Sequence, residues 1–317
     1  MRILLVKTSS LGDVIHNLPV VGDLRRNFPA AQIDWCVEES FADIPRLHPG
    51  VDRVIPVAIR RWRRNPCRLG TWRELRDFCR RIGERKYDFV LDTQGLLKSA
   101  LIARQAQGRR CGYAAEAARE PLAARFYDAT FVIPRNVHAV QRNRWLAAAA
   151  CDYPLDLPLD YGISAPAVDL RWLVGDHLVV LLTATSRDDK LWQEGQWCAL
   201  GQALLERGLT PVLPAGNAVE RQRAERIAAV VAGAIVPPPL TLPQVAALIG
   251  RARLAIGVDT GLAHLAAALH VPTIALYIAT EPALTGVYGG GFVRNLGRTG
   301  TPPSLAEVLT VAAQALR

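Results

Sequence analysis

The chain has 317 residues, of which 50% are hydrophobic and 21% charged. This length accommodates two domains of ordinary size, and the composition excludes an intrinsically disordered protein. It contains no uncharged apolar run of about 18 residues, and no small-residue cleavage site follows an apolar N-terminal segment. We therefore expect a soluble, cytoplasmic protein. The six cysteines show neither Cys-x-x-Cys nor zinc-ligand spacing, which predicts reduced thiols.

The formal charge of +9 is concentrated in one stretch. Between Arg60 and Lys86, hereafter the basic segment, eleven Lys and Arg residues stand against three acidic residues. Such a patch attracts a polyanion, whether nucleic acid, an anionic membrane or a phosphorylated glycolipid. The alternative is an ordinary solvated helix face, which explains the later arginines better than the run Arg-Arg-Trp-Arg-Arg at 60–64.

The first half of the chain alternates strands with helices. Strands are predicted at 2–7, 32–37, 53–57 and 88–92, and helices at 14–25, 72–82, 96–103 and 137–150. Alternation of this kind predicts a parallel sheet with helices on both faces. Residues 152–166 lose this periodicity and gain prolines, so we interpret them as an interdomain linker.

A second alternating series follows the linker. Strands are predicted at 178–183, 210–214, 234–236, 254–258 and 273–277, and helices at 196–207, from about 218 to 231, and at 242–249, 262–269 and 304–316. The predicted fold class is α/β, with two Rossmann-like, doubly wound domains at 1–160 and 167–317 facing across a cleft. Whether the last helix packs back on the first domain is left open.

The turn at 259–261 is the most informative point of the second half. Asp259, Thr260 and Gly261 join a buried strand to a helix. A helix N-terminus offers unpaired N–H groups and about half a positive charge, so the expected ligand is an anion, most simply a diphosphate. The alternative is that Asp259 or Thr260 only caps the helix and that His264 is a packed core histidine.

The loop at 8–13 occupies the corresponding place after the first strand. It is rich in hydroxyls and carries Gly12, but it has neither the P-loop nor the Gly-x-Gly-x-x-Gly pattern. Asp13 has two possible roles here: the N-cap of the next helix, or a general base at the edge of a cleft. The residues alone favour the cap.

The remaining polar residues of the second half suggest group transfer from a nucleotide-activated donor. Lys190 and the hydroxyls of Thr185 and Ser186 would stabilise charge on a leaving diphosphate, and Glu220 would accept hydrogen bonds from ribose hydroxyls. Sugar transferases that hold a divalent metal commonly carry Asp-x-Asp, which this sequence lacks. We therefore predict a reaction that requires no metal and no other cofactor.

Six stretches of the chain together resemble one family. They are MRILLVKTSSLGDVIH at 1–16, VIPVAIRRWR at 54–63, DTQGLLKSA at 92–100, AREPLA at 118–123, TSRDDK at 185–190 and VDTGLAHL at 258–265. In this order they are similar to the lipopolysaccharide heptosyltransferase I family, within glycosyltransferase family 9. The resemblance implies a GT-B fold and inverting transfer of L-glycero-D-manno-heptose from ADP-heptose. The implied acceptor is the first 3-deoxy-D-manno-octulosonic acid (Kdo) of Kdo2-lipid A, at the cytoplasmic face of the inner membrane.

The resemblance also implies roles for individual residues. Asp13 matches the general base, and Lys190 matches a catalytic donor contact. The other implied donor contacts are Thr185, Ser186, Glu220, Asp259, Thr260, Gly261 and His264. The implied acceptor contacts are Ser9, Ser10, Gly12, Arg60, Arg61, Arg63, Arg64, Gln94 and Arg119. The partners are then ADP-heptose, Kdo2-lipid A and an anionic inner-membrane surface, with no metal and no nucleic acid.

The sequence departs from the family pattern on the donor side. Thr183 stands where the family has a histidine, Ser186 replaces a threonine, and Ile278-Ala279 replaces Gly-Pro. Donor preference is the property these changes would affect. Two other functions remain as alternatives: a related transferase that adds the second heptose or another sugar, and, more remotely, a nucleic-acid-binding protein that uses the basic segment.

Overall fold

A computed structural model describes residues 1–173, 175–289 and 291–317. The chain divides into two compact units, Met1–Gly162 and Ile163–Arg317. The boundary falls inside the stretch interpreted as a linker. All six cysteines are unbridged.

The first unit is built on a six-stranded parallel sheet. Its strands are β1 (Arg2–Val6), β2 (Gln32–Glu38), β3 (Arg53–Val57), β4 (Lys86–Asp92), β5 (Gln107–Tyr113) and β6 (Ala129–Phe131). Its helices are α1 (Leu11–Ile15), α2 (Leu18–Asn27), α3 (Asp43–Arg46), α4 (Ile59–Arg64), α5 (Leu69–Gly83), α6 (Leu97–Ala103) and α7 (Ala139–Cys151). The strand order β3-β2-β1-β4-β5-β6 is the Rossmann order, with the switch point between β1 and β4.

The second unit repeats the plan with a five-stranded parallel sheet. Its strands are β7 (Leu178–Leu182), β8 (Thr210–Val212), β9 (Leu254–Val258), β10 (Thr273–Tyr277) and β11 (Val293–Gly297). Its helices are α8 (Glu194–Leu205), α9 (Ala218–Val230), α10 (Leu242–Gly250), α11 (Gly261–Ala268), α12 (Pro282–Thr285) and α13 (Leu305–Ala315). The order β11-β10-β9-β7-β8 puts the switch point between β7 and β9. Val308 and Ala312 of α13 belong to the buried core of this unit.

Apolar side chains explain most of these elements. β1, β7, β9 and β10 read as nearly continuous apolar runs, as expected of strands covered on both faces, and most of their residues are fully buried. A buried ion pair between Arg144 and Asp23, at 2.7 Å, ties α7 to α2. A buried pair of this kind is costly to break, because removing one partner leaves an uncompensated charge.

Several elements of the fold differ from the sequence prediction. Strands β5, β6 and β11 were not predicted, because they carry glycines, arginines or few residues and lack a clear apolar pattern. The strand expected at 234–236 is wrong, since Ile235 forms only an isolated bridge with Val212. Two helices, α1 and α2, replace the single helix expected at 14–25. The break between them lies at Asn17, which is the N-cap of α2.

No helix among the described residues is both long enough and apolar enough to cross a membrane.

Candidate active site

The first cluster of polar residues lies at the switch point of the first sheet. β1 pairs with β4 in parallel, so the loop after Val6 and the loop after Asp92 leave the sheet side by side. Ligands of open α/β sheets bind at such points because the two loops diverge there. This places Lys7 to Asp13 next to Thr93 and Gln94.

Gln94 holds the two loops together. Its buried side-chain carbonyl accepts the backbone N–H of Thr8 at 2.8 Å and that of Ser9 at 3.2 Å, and its amide donates to the Ser9 carbonyl. Gly95 follows with φ +68°, a conformation that favours glycine and turns the chain toward α6. The sequence predicts Gln94 as an acceptor contact. In the structure, its side chain shapes the loop around Ser9.

Asp13 has a capping role in addition to any chemical one. It is the third residue of α1, and its Oδ2 accepts the backbone N–H of Ser10 at 2.9 Å and the Ser10 hydroxyl at 3.2 Å. Ser10 is the N-cap, so the expectation that Asp13 itself might be the N-cap is wrong. The two residues form a capping box, which fixes the direction of the carboxylate. Gly12 is buried behind it.

Two cations neutralise this carboxylate. Arg119 reaches Asp13 with Nη2 to Oδ1 at 2.7 Å and Nη1 to Oδ2 at 3.3 Å. Lys7 is buried, and its Nζ donates to the Thr93 carbonyl at 2.8 Å and to Asn143 Oδ1 at 3.3 Å.

These charges decide the ionisation of both partners. Burial alone would raise the pKa of Asp13, but the positive charges of Lys7 and Arg119 outweigh it and hold that pKa well below its ordinary range. Burial lowers the pKa of Lys7 to about 8, although the charge of Asp13 opposes the shift. Asp13 is therefore ionised at neutral pH.

Lys98 is a third cation at this site. It lies on α6, and its Nζ donates to the Ser9 hydroxyl at 2.8 Å. Burial lowers its pKa, while the nearby carboxylates of Glu38 and Asp13 raise it. Neither Lys7 nor Lys98 was among the predicted site residues. A lysine directly after an apolar strand, as at Lys7, could have indicated the site. A lysine is rarely buried without polar or charged partners, and such partners gather at a site.

The four arginines of α4 are not equivalent. Arg61 is occupied by Glu39 at 3.0 Å and Glu74 at 2.7 Å. The guanidinium of Arg60 lies 4.9 Å from the centre of the Phe41 ring, and its backbone N–H donates to Glu38. Arg60 and Arg63 both lower the pKa of Lys98 through their charge. Arg64 is exposed.

The second cluster lies at the switch point of the other sheet. β7 pairs with β9 in parallel, which brings the loop after Leu182 beside the turn after Val258. Lys190 Nζ contacts Asp259 Oδ2 at 2.7 Å, and the hydroxyl of Thr280 donates to the same oxygen at 2.7 Å. The Thr185 hydroxyl donates to the Asp259 carbonyl at 2.9 Å. Asp259 therefore joins its own turn to the loop after β7 and the loop after β10. Thr280 was not among the predicted site residues.

The N-terminus of α11 is the predicted anion site of this unit. Thr260 is the N-cap residue, in an extended conformation, and its side chain makes no capping hydrogen bond. Thr260 therefore takes the N-cap position, as the capping alternative expected of Asp259 or Thr260, but its hydroxyl forms no capping bond. Gly261 begins the helix, and His264 is 6% exposed one turn further on. The first N–H groups of α11 thus lie beside Lys190 and Asp259, where they favour a bound anion.

The remaining donor-side residues occupy loops and strand ends of the same unit. Glu220 accepts the Gly216 N–H at 2.7 Å and the Asn217 side-chain amide at 2.8 Å, so it organises the start of α9. Ser186 is exposed, and Thr183 is buried at the end of β7. Ile278 packs against the core of this unit. Two of the departures from the family pattern, Thr183 and Ile278, therefore lie in or against the packed interior of this unit.

Within the described ranges, no group of three or more His, Cys, Asp or Glu side chains is arranged to hold a metal ion.

Comparison with known proteins identifies the family. The model of glycosyltransferase family 9 (heptosyltransferase) matches residues 75–306. Lipopolysaccharide heptosyltransferase 1 of Pseudomonas aeruginosa is 48% identical over 299 residues, which cover 91% of this chain and 82% of that protein.

Two solved structures give the same result. The Escherichia coli heptosyltransferase WaaC with ADP superposes with a TM-score of 0.91 at 38% identity, covering 99% of this chain and 100% of that one. The same enzyme with ADP-2-deoxy-2-fluoro heptose gives 0.87 at 38% identity, covering 99% and 98%.

The chain belongs to glycosyltransferase family 9, the heptosyltransferases, and has the predicted GT-B fold of two Rossmann-like domains. Within that family, the resemblance to lipopolysaccharide heptosyltransferase I is confirmed.

Proposed function

We propose that the chain transfers L-glycero-D-manno-heptose from ADP-heptose to the first Kdo of Kdo2-lipid A, with inversion at the anomeric carbon and without a metal ion. The observation that carries this proposal is the Asp13 carboxylate, ionised between Lys7 and Arg119 at the switch point of the first sheet. A carboxylate held ionised at that place can accept a proton from an acceptor hydroxyl as the new bond forms. The anionic groups of Kdo2-lipid A match the cations around it.

On the acceptor side, Asp13 takes the proton of the attacking hydroxyl. The oxygen of that hydroxyl forms a bond to the anomeric carbon of heptose, and the bond from this carbon to the diphosphate oxygen breaks. A single displacement of this kind inverts the anomeric configuration. Ser9, Ser10 and Gly12 shape the loop that presents Asp13, while Arg60, Arg63 and Arg119 attract the acidic acceptor.

On the donor side, the leaving ADP gains negative charge as the bond breaks. Lys190 and the N-terminus of α11, with Thr260 and Gly261, are the groups that stabilise this charge. Thr185, Ser186 and His264 line the same region, and Glu220 is assigned to the ribose. Positive charge supplied by the chain itself takes the place of a divalent cation, which supports the proposal that no metal is needed.

The direct test is heptose transfer to Kdo2-lipid A in the presence of excess chelator, followed by mass spectrometry and by NMR of the new glycosidic linkage. We expect one added heptose with inverted anomeric configuration. Product only after a divalent metal is restored would contradict metal independence. Transfer only to an acceptor that already carries a heptose would favour the second-heptose alternative instead. Retention on DNA without transfer would favour the nucleic-acid alternative.

We also propose that the basic segment holds the protein on the anionic surface where its acceptor lies. Two large apolar side chains on α5 are strongly exposed, Leu69 by 79% and Trp72 by 61%. Exposed arginines of the same segment flank them in the sequence, namely Arg63, Arg64, Arg68, Arg73 and Arg76. Apolar side chains within a basic helical surface are typical of helices that lie in the membrane interface.

The combined variant Leu69→Ala/Trp72→Ala is expected to weaken binding to vesicles containing phosphatidylglycerol by about tenfold, because each side chain loses part of the 1.5–3 kcal/mol gained by burial. Co-sedimentation at low and high salt measures this loss. Val230→Ala, which truncates an exposed side chain of the second unit, is the matched control and should bind as the parent does. Equal binding of the parent to neutral and anionic vesicles would contradict the proposal.

A further inference from the structure

The carboxylate of Asp259 is held through one of its two oxygens. Oδ2 accepts the ammonium of Lys190 and the hydroxyl of Thr280, each at 2.7 Å, whereas Oδ1 has no hydrogen-bond partner among the described residues. The Asp259 side chain is 17% exposed, so little of it is open to water. The oxygen Oδ1 is therefore available to a donor group of a bound ligand.

The ligand group that suits Asp259 Oδ1 is a sugar hydroxyl. A carboxylate that pairs with a cation only accepts hydrogen bonds. The diphosphate of the proposed donor carries acceptors, and it is assigned to Lys190 and the N-terminus of α11, which begins at Gly261. The ribose is assigned to Glu220. The hydroxyls of the transferred sugar are therefore the donors that remain for Oδ1.

The backbone of Asp259 is fixed by its neighbours, but the plane of its carboxylate is not. The Asp259 N–H donates to the Leu276 carbonyl of β10 at 3.1 Å, and the Asp259 carbonyl accepts the Thr185 hydroxyl at 2.9 Å. The last torsion of an aspartate is broad, so the carboxylate plane rotates at little cost. Lys190 does not fix this plane by itself, because its ammonium ends a flexible four-carbon stem that can follow the carboxylate.

Thr280 is able to fix the plane, because its hydroxyl lies on a short side chain of an anchored loop. The Ile278 carbonyl accepts the Gly300 N–H at 3.0 Å, and the Glu281 carboxylate accepts the Thr299 N–H at 3.2 Å, so the chain is held on both sides of Thr280. Ile278 also packs against the core of this unit. A β-branched side chain is stiff at its first torsion. The loop therefore sets the position of the Thr280 hydroxyl.

We propose that Thr280 is a positioning residue for the donor sugar: with Lys190 it holds one oxygen of Asp259, so that the other oxygen faces a hydroxyl of the heptose. This inference rests on the proposed function and adds to it a determinant of donor selection. ADP lacks the sugar. Thr280 therefore contributes to the binding of ADP-heptose and contributes little to that of ADP.

The experiment titrates ADP and ADP-heptose calorimetrically into the parent protein and into Thr280→Val, which removes the hydroxyl and keeps a β-branched side chain. We expect the affinity for ADP-heptose to fall about tenfold and that for ADP to fall less than about threefold, because the sugar loses a well-placed hydrogen bond to a charged group. Thr280→Ser, which keeps the hydroxyl, should bind both ligands within about threefold of the parent.

Thr310→Val is the matched control for the loss of a threonine hydroxyl. Thr310 lies on α13, is exposed, and donates its hydroxyl to the Ala306 carbonyl at 2.8 Å. This variant should bind ADP and ADP-heptose as the parent does.

A double-mutant cycle tests whether Thr280 acts through Asp259. The ratio of the affinity for ADP-heptose to that for ADP should fall in Thr280→Val and in Asp259→Asn. Adding Thr280→Val to Asp259→Asn should change this ratio by less than about twofold, because residues that share one contact are not additive. Additive effects would overturn the proposal.

Two other results would also overturn it. An equal loss of affinity for ADP and ADP-heptose in Thr280→Val is the pattern of a residue that only supports the pocket. A Thr280→Ser variant as weak as Thr280→Val would show that the hydroxyl is not the group that acts.

Thermal unfolding of each variant identifies one that does not fold, and Thr280→Ala then serves as the second variant without the hydroxyl. A parent protein that binds ADP-heptose but transfers no heptose to Kdo2-lipid A would refute the proposed function, while the affinities would still decide the role of Thr280. A parent protein that does not bind ADP-heptose would refute both.

Discussion

Replacing Asp13 with asparagine is expected to lower kcat by about 10² to 10⁴-fold while leaving ADP-heptose affinity nearly unchanged. General-base catalysis contributes this order of rate, and an amide cannot accept the proton. Asp13 lies in the first unit, on α1, whereas the residues assigned to the donor lie in the second. Steady-state kinetics together with calorimetric titration of the donor separates the two effects.

The control must separate the loss of the general base from the loss of the helix cap, because the Asp13 side chain is also part of the capping box of α1. The chain offers a matched box on α10, where Gln244 accepts the Thr241 N–H at 2.8 Å and its hydroxyl at 3.0 Å. Gln244→Ala should lower the free energy of unfolding by about 1 kcal/mol and leave kcat near that of the parent. A normal kcat in Asp13→Asn, or a loss confined to donor affinity, would refute the base assignment.

Replacing Lys190 with alanine is expected to weaken donor binding and turnover together, with kcat/KM for ADP-heptose reduced by at least about 100-fold. An ammonium that stabilises a developing charge in a partly buried site contributes several kcal/mol to the transition state. The variant also leaves Asp259, which accepts from both Lys190 and Thr280, with one partner fewer. Donor affinity is measured by titration with ADP and with ADP-heptose.

Arg187→Ala is the matched control for Lys190. Arg187 lies three residues earlier on the same loop, but its guanidinium pairs with Asp189 and is 58% exposed. Removing this charge changes the net charge of the loop equally, without touching Asp259. We expect kcat/KM to change by less than about threefold, as for an exposed ion pair. Similar losses in both variants would show that Lys190 acts only through the general field of the loop.

The two sites were partly predictable because they follow strands. Apolar runs such as Leu254–Val258 mark buried strands in the sequence, and polar residues directly after them mark the ligand edge of a parallel sheet. Asp13, Asp259 and Thr260 were found in this way. Lys7 was not predicted as a site residue, because a single lysine after an apolar run is also typical of an ordinary exposed strand end.

What the sequence by itself determined is the alternation of strands and helices, the concentration of charge in the basic segment and the motifs shared with the family, since each of these depends on residues close together in the chain. Only the tertiary structure decided how the polar side chains are paired. Arg119 and Asp13 are separated by 106 residues, and Lys190 and Asp259 by 69, so their ion pairs exist only once the parallel sheets have formed. Whether a carboxylate is a free base, a cap or one half of an ion pair depends on those distant partners, because its lone pairs are shared among all the donors that the fold brings to it.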